Sequence, residues 1–249
     1  MEAFDRKQSG AVFGIWKYLR IVYFDALFLI KQGFLVAYAI VILAYVAVLS
    51  ALPPSIFRTG FLIFAVYSDT AIIGFYFSAA MMFLEKDQHL LVNWSIMPVG
   101  WRHYVVSKLL TFSILSIVIS LCLYLPFIRV VRLPQFCLGV FLSVLLNIPL
   151  GIILASNMKK LLNFLLLSVT VLFPQIFPLI DFYGLYNSMI CRLLPGYGIL
   201  LLLGNGQEAF TGGISLWYLV SSVVVSAALV FFSIRYLSRR QTGGAGGTI

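Results

Sequence analysis

The stretch Glu85-Lys86-Asp87-Gln88-His89-Leu90-Leu91-Val92-Asn93-Trp94-Ser95-Ile96-Met97-Pro98-Val99-Gly100-Trp101-Arg102-His103-Tyr104 decides how this chain is read, because it is a polar island between two long apolar runs. Apolar residues fill about 61–84 before it and about 105–127 after it. At a rise of about 1.5 Å per residue, either run crosses a hydrocarbon core of about 30 Å as a helix. Within the island, a charged start, an amphipathic turn or two and Pro98 as a stop predict a short docking helix between two membrane spans.

Working outward, apolar runs recur at about 33–54, 135–155, 162–180 and 214–234, which makes six predicted spans in all. Hydrophobic residues make up 62% of the chain and charged residues 10%, against roughly 45–50% and 25% in soluble domains. Backbone groups in lipid must be satisfied within each segment, so the expected fold is an all-α polytopic membrane protein. Residues 1–240 form one transmembrane domain and 241–249 a flexible, glycine-rich tail.

The net charge of +9 does not point to nucleic acid, because the basic residues cluster in the connections of an apolar chain. They report orientation instead. Placing both termini in the cytoplasm puts 13 of the 17 Lys and Arg residues inside and leaves Arg58, Arg129, Arg132 and Arg192 outside.

Two connections are not plain loops. Residues 9–31 carry Val12, Phe13, Ile15, Trp16, Leu19, Val22 and Tyr23 at helical spacing, interrupted by Lys17 and Arg20. This predicts an interfacial helix on the inner leaflet; a signal peptide competes but has Glu2 and Asp5 where its basic start should be, and a further reading extends the first span inward, with Asp25 and Lys31 at headgroup level. Residues 181–213 hold Leu193-Leu194-Pro195-Gly196-Tyr197-Gly198 and the apolar run to Leu203, too short to cross. A seventh span there would invert the charge bias, so a re-entrant or surface helical segment is expected between spans five and six.

Catalytic patterns are lacking. The sequence has no H-E-x-x-H, no G-x-S-x-G and no G-x-x-x-x-G-K-[ST] loop, so no nucleotide, metal or other cofactor is expected in this chain. Cys122, Cys137 and Cys191 are odd in number and scattered, which fits packing rather than a disulfide or metal set. Asp69 stands out within the second predicted span, since an aspartate near a helix centre costs roughly 2.5–3.5 kcal/mol on insertion scales. It lines a translocation path or a subunit interface, unless the span starts later and leaves it among the outer headgroups. Asn147, Asn163 and Gln175 are weaker cases of the same kind, suited to bonds between helices.

The block Glu85-Lys86-Asp87, Leu90-Leu91, Met97-Pro98-Val99 and Tyr104-Val105-Val106-Ser107-Lys108-Leu109-Leu110 resembles the loop between the second and third spans of permease subunits of ABC type-2 exporters. The match departs from the usual pattern at Gln88, His89 and Gly100. The resemblance implies a transmembrane subunit in a bacterial cytoplasmic membrane, paired with a second permease and with two separate ABC ATPase subunits that hold ATP and Mg. Glu85, Lys86, Asp87, Leu90, Leu91, Trp94 and Pro98 are then the ATPase-coupling residues. Leu90, Leu91 and Trp94 would act as apolar anchors in a groove on the ATPase. An apolar or amphiphilic substrate would move by alternating access. A secondary transporter or channel, or a membrane-embedded enzyme, is the alternative class.

Overall fold

The computed structural model describes residues 20–53, 56–88, 90, 101–127, 133–185, 189–204 and 213–243. Six of its helices are long and apolar enough to cross a membrane: Phe34–Ala51, Phe57–Asp87, Trp101–Tyr124, Leu133–Asn157, Leu161–Phe182 and Leu216–Arg239. No strand occurs among the described residues. Each expected span is present, with ends displaced by a few residues.

The displacement is most telling at the polar island. Glu85-Lys86-Asp87 form the last turn of the second span and Trp101 opens the third, so the connection is shorter than expected. Glu85 and Lys86 continue the second helix, and Tyr104 the third, with their polar groups bonded inside the protein.

The spans divide into a core and a sheath. Of the second, third and fourth spans, 56% to 67% is buried within the molecule, against 12% to 22% of the first, fifth and sixth. Small residues let the second and fourth spans approach closely. A Cβ added at Gly74 would lie 2.9 Å from Asn147 Cβ, and one added at Gly151 would meet the Phe75 carbonyl and, at 2.8 Å, Ser78 Oγ. Phe164 of the fifth span closes this seam, stacking on Phe75 at 5.5 Å and meeting Phe83 edge-on at 5.6 Å.

Three breaks in regularity shape the bundle. Residues 20–31 are helical and part from the first span at Gly33, whose φ of 76° is left-handed and natural to glycine. The helix before Gly33 is therefore a separate element, and residues 9–19 of its expected range lie outside the described residues. The second span widens to a π-helix at Ile73–Phe77. The fifth narrows to a 3₁₀ turn at Phe173–Gln175, where Pro174 removes a backbone donor.

The connection between the fifth and sixth spans contains two short helices, Met189–Leu193 and Pro195–Leu203. The first is tied to the end of the fifth span, with Arg192 Nε donating to Asp181 Oδ2 at 2.9 Å. That hydrogen bond, and then the charge behind it, push the guanidinium pKa further up. The second helix is buried against its neighbours, and Ser222 of the sixth span donates to its Pro195 carbonyl at 2.6 Å. The final helix runs to Gly243, a short way into the expected tail.

Candidate functional site

At the end of the second span, one face of that helix meets one face of the third. Met81 and Glu85 lie one turn apart on the second span, as do Tyr104 and Lys108 on the third, so each pair shares a helix face. Lys108 is 1% exposed, and its ammonium donates to Glu85 Oε1 at 2.6 Å and to Asp25 Oδ1 at 2.8 Å. Its third close contact is Met81 Sδ at 3.2 Å. Tyr104 Oη donates to the other Glu85 oxygen at 2.7 Å, and its ring lies 5.1 Å from the Lys108 ammonium. Glu85 is 5% exposed and Asp25 7%.

Three separate segments are thus joined by one ammonium: the helix over 20–31, the second span and the third. The cluster holds two carboxylates for one cation, and Asp25 Oδ2 is buried without a hydrogen-bond partner. Ionic groups in such surroundings hold one geometry or cost heavily, because removing one partner strands the others in a medium of low dielectric.

Lys86 follows Glu85 by about 100° around the helix and makes a different connection. Its ammonium donates to the carbonyls of Ala155 at 2.6 Å, Ser156 at 3.2 Å and Met158 at 3.1 Å. These belong to the C-terminal end of the fourth span, where carbonyls lack helical partners and the helix dipole favours a cation. The last turn of the second span is therefore fastened on two sides, to the third span through Glu85 and to the fourth through Lys86.

Of the remaining residues expected to act here, Asp87 is exposed at the helix end and Leu90 is half-buried. Leu91, Trp94 and Pro98 lie outside the described residues. Sequence reasoning missed Asp25, Tyr104 and Lys108 as members of the site. The available signal was Lys108 itself, a cation carried about two turns inside an apolar helix and costly unless something pairs with it.

Asp69 lies inside the helix Phe57–Asp87, three residues from its midpoint. It is 2% exposed and makes no hydrogen bond or ion pair among the described residues. Its neighbours in sequence are engaged: Thr70 Oγ1 meets Ser143 Oγ at 2.8 Å, and Tyr67 Oη is 3.4 Å from the Gln175 carbonyl it donates to. Gln175 Nε2 donates to Asn147 Oδ1 at 2.7 Å, and Asn147 Nδ2 to the Ser143 carbonyl at 2.8 Å. Asn147 and Gln175 do bond between helices, as expected, whereas Asn163 is exposed.

Comparison with known proteins gives one consistent result. The fluoroquinolones export permease protein family matches residues 17–241. Two curated relatives are fluoroquinolones export permease proteins of Mycobacterium tuberculosis, strains CDC 1551 / Oshkosh and ATCC 25618 / H37Rv. Each is 26% identical over 180 residues, which is 70% of this chain and 74% of the relative. No solved structure matches.

Proposed function

This chain belongs to the fluoroquinolones export permease protein family, a group of ABC type-2 permease subunits, and from that premise we propose that it is the membrane-spanning half of an ATP-driven exporter. Two separate ATP-binding subunits, holding ATP and Mg, drive a pair of permeases between inward-facing and outward-facing states. The substrate is an apolar or amphiphilic compound, and the curated relatives favour a fluoroquinolone. The protein sits in a bacterial cytoplasmic membrane with both termini and the 88–100 connection in the cytoplasm.

The observation that carries this reading is the double fastening at Glu85 and Lys86. A push on a connection hung from a loose helix end would be lost in local bending. Here the helix end is tied to the third span, the fourth span and the helix before the first, so a displacement of the connection moves several spans together.

The direct test is copurification with an ATPase that carries a Walker A loop, followed by truncation of the proposed anchors. Buried apolar anchors cost about 2 kcal/mol or more when cut back, while charges at the rim cost little. Leu91→Ala and Trp94→Ala are expected to lower ATPase association and substrate-stimulated hydrolysis, with Asp87→Ala close to wild type. Normal association and transport in the double Leu91→Ala, Trp94→Ala variant would reduce the segment to a connector.

Topology gives a second expected result. With Cys122, Cys137 and Cys191 replaced, single cysteines at Gln88 and Gln207 should react with an impermeant maleimide from opposite faces of the membrane. Labelling of both from one face would invalidate the six-span arrangement.

A further inference from the structure

Four acidic residues are buried among the described residues: Asp25, Asp69, Glu85 and Asp181. Three are paired, Asp25 and Glu85 with Lys108 and Asp181 with Arg192. Asp69 alone has no partner, and it lies three residues from the midpoint of the span Phe57–Asp87, about 4.5 Å along the axis. No described cation of the chain can serve it. Arg58, the nearest on the same helix, is about 16 Å away along the axis and its guanidinium lies over Phe127 at 4.6 Å. Lys108 is committed at the far end of the second span.

We infer that Asp69 is the recognition group for a protonated amine on the transported amphiphile, an inference that rests on the export function proposed above. An ionised carboxyl inside a span is retained against its insertion cost only when something at that depth compensates it. A divalent metal does not fit. Hard cations take six or more oxygens, and the described residues contain no group of three His, Cys, Asp or Glu side chains that could hold one. A lone carboxylate matches a single ammonium, which brings its own charge and N–H donors.

The surrounding backbone supports a route to it. The second span turns to a π-helix four residues beyond Asp69, a distortion found often at functional positions. At similar depth the fifth span breaks at Phe173–Gln175, where the Gln175 carbonyl accepts from Tyr67 of the second span and its side chain donates to Asn147 of the fourth. Irregular backbone at membrane depth is tolerated where protein or a water-lined passage satisfies it. The fifth span is only 17% buried in this chain and Phe173 is 55% exposed, so the break faces outward from the subunit. A passage bordered by this break, shared with a second permease, would bring an amphiphile past Gln175 toward Asp69.

The test is a cycle between the residue and the charge. Norfloxacin has a basic secondary amine on its piperazine ring, and N-acetylation removes that charge while keeping the fused ring system. Binding of both to the purified permease in nanodiscs is measured for wild type, Asp69→Asn and Asp69→Glu. Wild type should prefer norfloxacin by about tenfold, the ratio expected of one charge-assisted contact. Asp69→Asn should abolish the preference by weakening norfloxacin alone, and Asp69→Glu should keep part of it.

Equal weakening of both compounds in Asp69→Asn, or no change in either, overturns the inference; the second result is what a permanently protonated carboxyl would give. If wild type binds neither quinolone, the proposed substrate class falls, and dodecylamine, protonated at neutral pH, against its neutral N-acetyl derivative decides Asp69. Charge-selective binding lost in Asp69→Asn upholds the inference for another organic cation. Its absence overturns it.

Discussion

Replacing Lys108 by methionine should be among the most damaging single changes in this protein, lowering stability by about 3–5 kcal/mol, the range for breaking a buried ion pair. The methionine fills nearly the same volume and leaves packing almost intact. It strands Glu85 and Asp25, both buried, in a cluster where Asp25 Oδ2 is already unpaired. The loss should appear as a lower melting temperature and a smaller monodisperse fraction in detergent. A triple variant, Asp25→Asn, Glu85→Gln, Lys108→Met, should recover most of it, since a neutral cluster strands no charge. If Lys108→Met melts with wild type, the three segments are held by apolar packing and the ionic cluster is incidental.

The second large effect is expected at Gly151. Its added Cβ in Gly151→Val would collide with the Phe75 carbonyl and with Ser78 Oγ, and the first of these is backbone. Overpacking typically costs 1–3 kcal/mol and more when the obstructing atom cannot swing aside, so about 3 kcal/mol or above is expected here. The second and fourth spans would part at the π-helix, shifting Asp69 and Asn147 relative to one another and reducing transport as well as stability. Gly60→Ala is the milder control, because its nearest atom is the ring edge of Tyr183 at 3.3 Å, a side chain rather than backbone. Equal melting temperatures for the two variants would mean that the second and fourth spans are not in the close contact described.

The fold was legible because span length and apolarity are local properties, and six runs of sufficient length announce six helices. Their ends were less so. Glu85, Lys86 and Tyr104 look like loop residues when read along the chain, yet each continues a helix because a partner from elsewhere takes its polar group. Such partners lie far away in sequence, 69 positions for Lys86 and Ala155 and 83 for Lys108 and Asp25. No periodicity carries that information. Pro174 explains the 3₁₀ turn of the fifth span once the structure is known, by its missing backbone donor, whereas nothing in Ile73-Gly74-Phe75-Tyr76-Phe77 announces a π-helix. Asp69 was conspicuous from its cost alone, and its isolation became visible only when the other acids were found paired.

On the proposed orientation, Lys86 and Lys108 would act at two successive times in the life of the chain. In the orientation proposed above, before the spans have packed, both ammonium groups would stand at the cytoplasmic surface and bias the direction of the second and third spans. Once the helices assemble, the same groups are withdrawn, Lys86 onto the carbonyls of the fourth span and Lys108 between two carboxylates. Charges that would orient the newborn chain are thereby the bonds of the finished bundle. Neutralising either one should disturb biogenesis before it disturbs the mature protein.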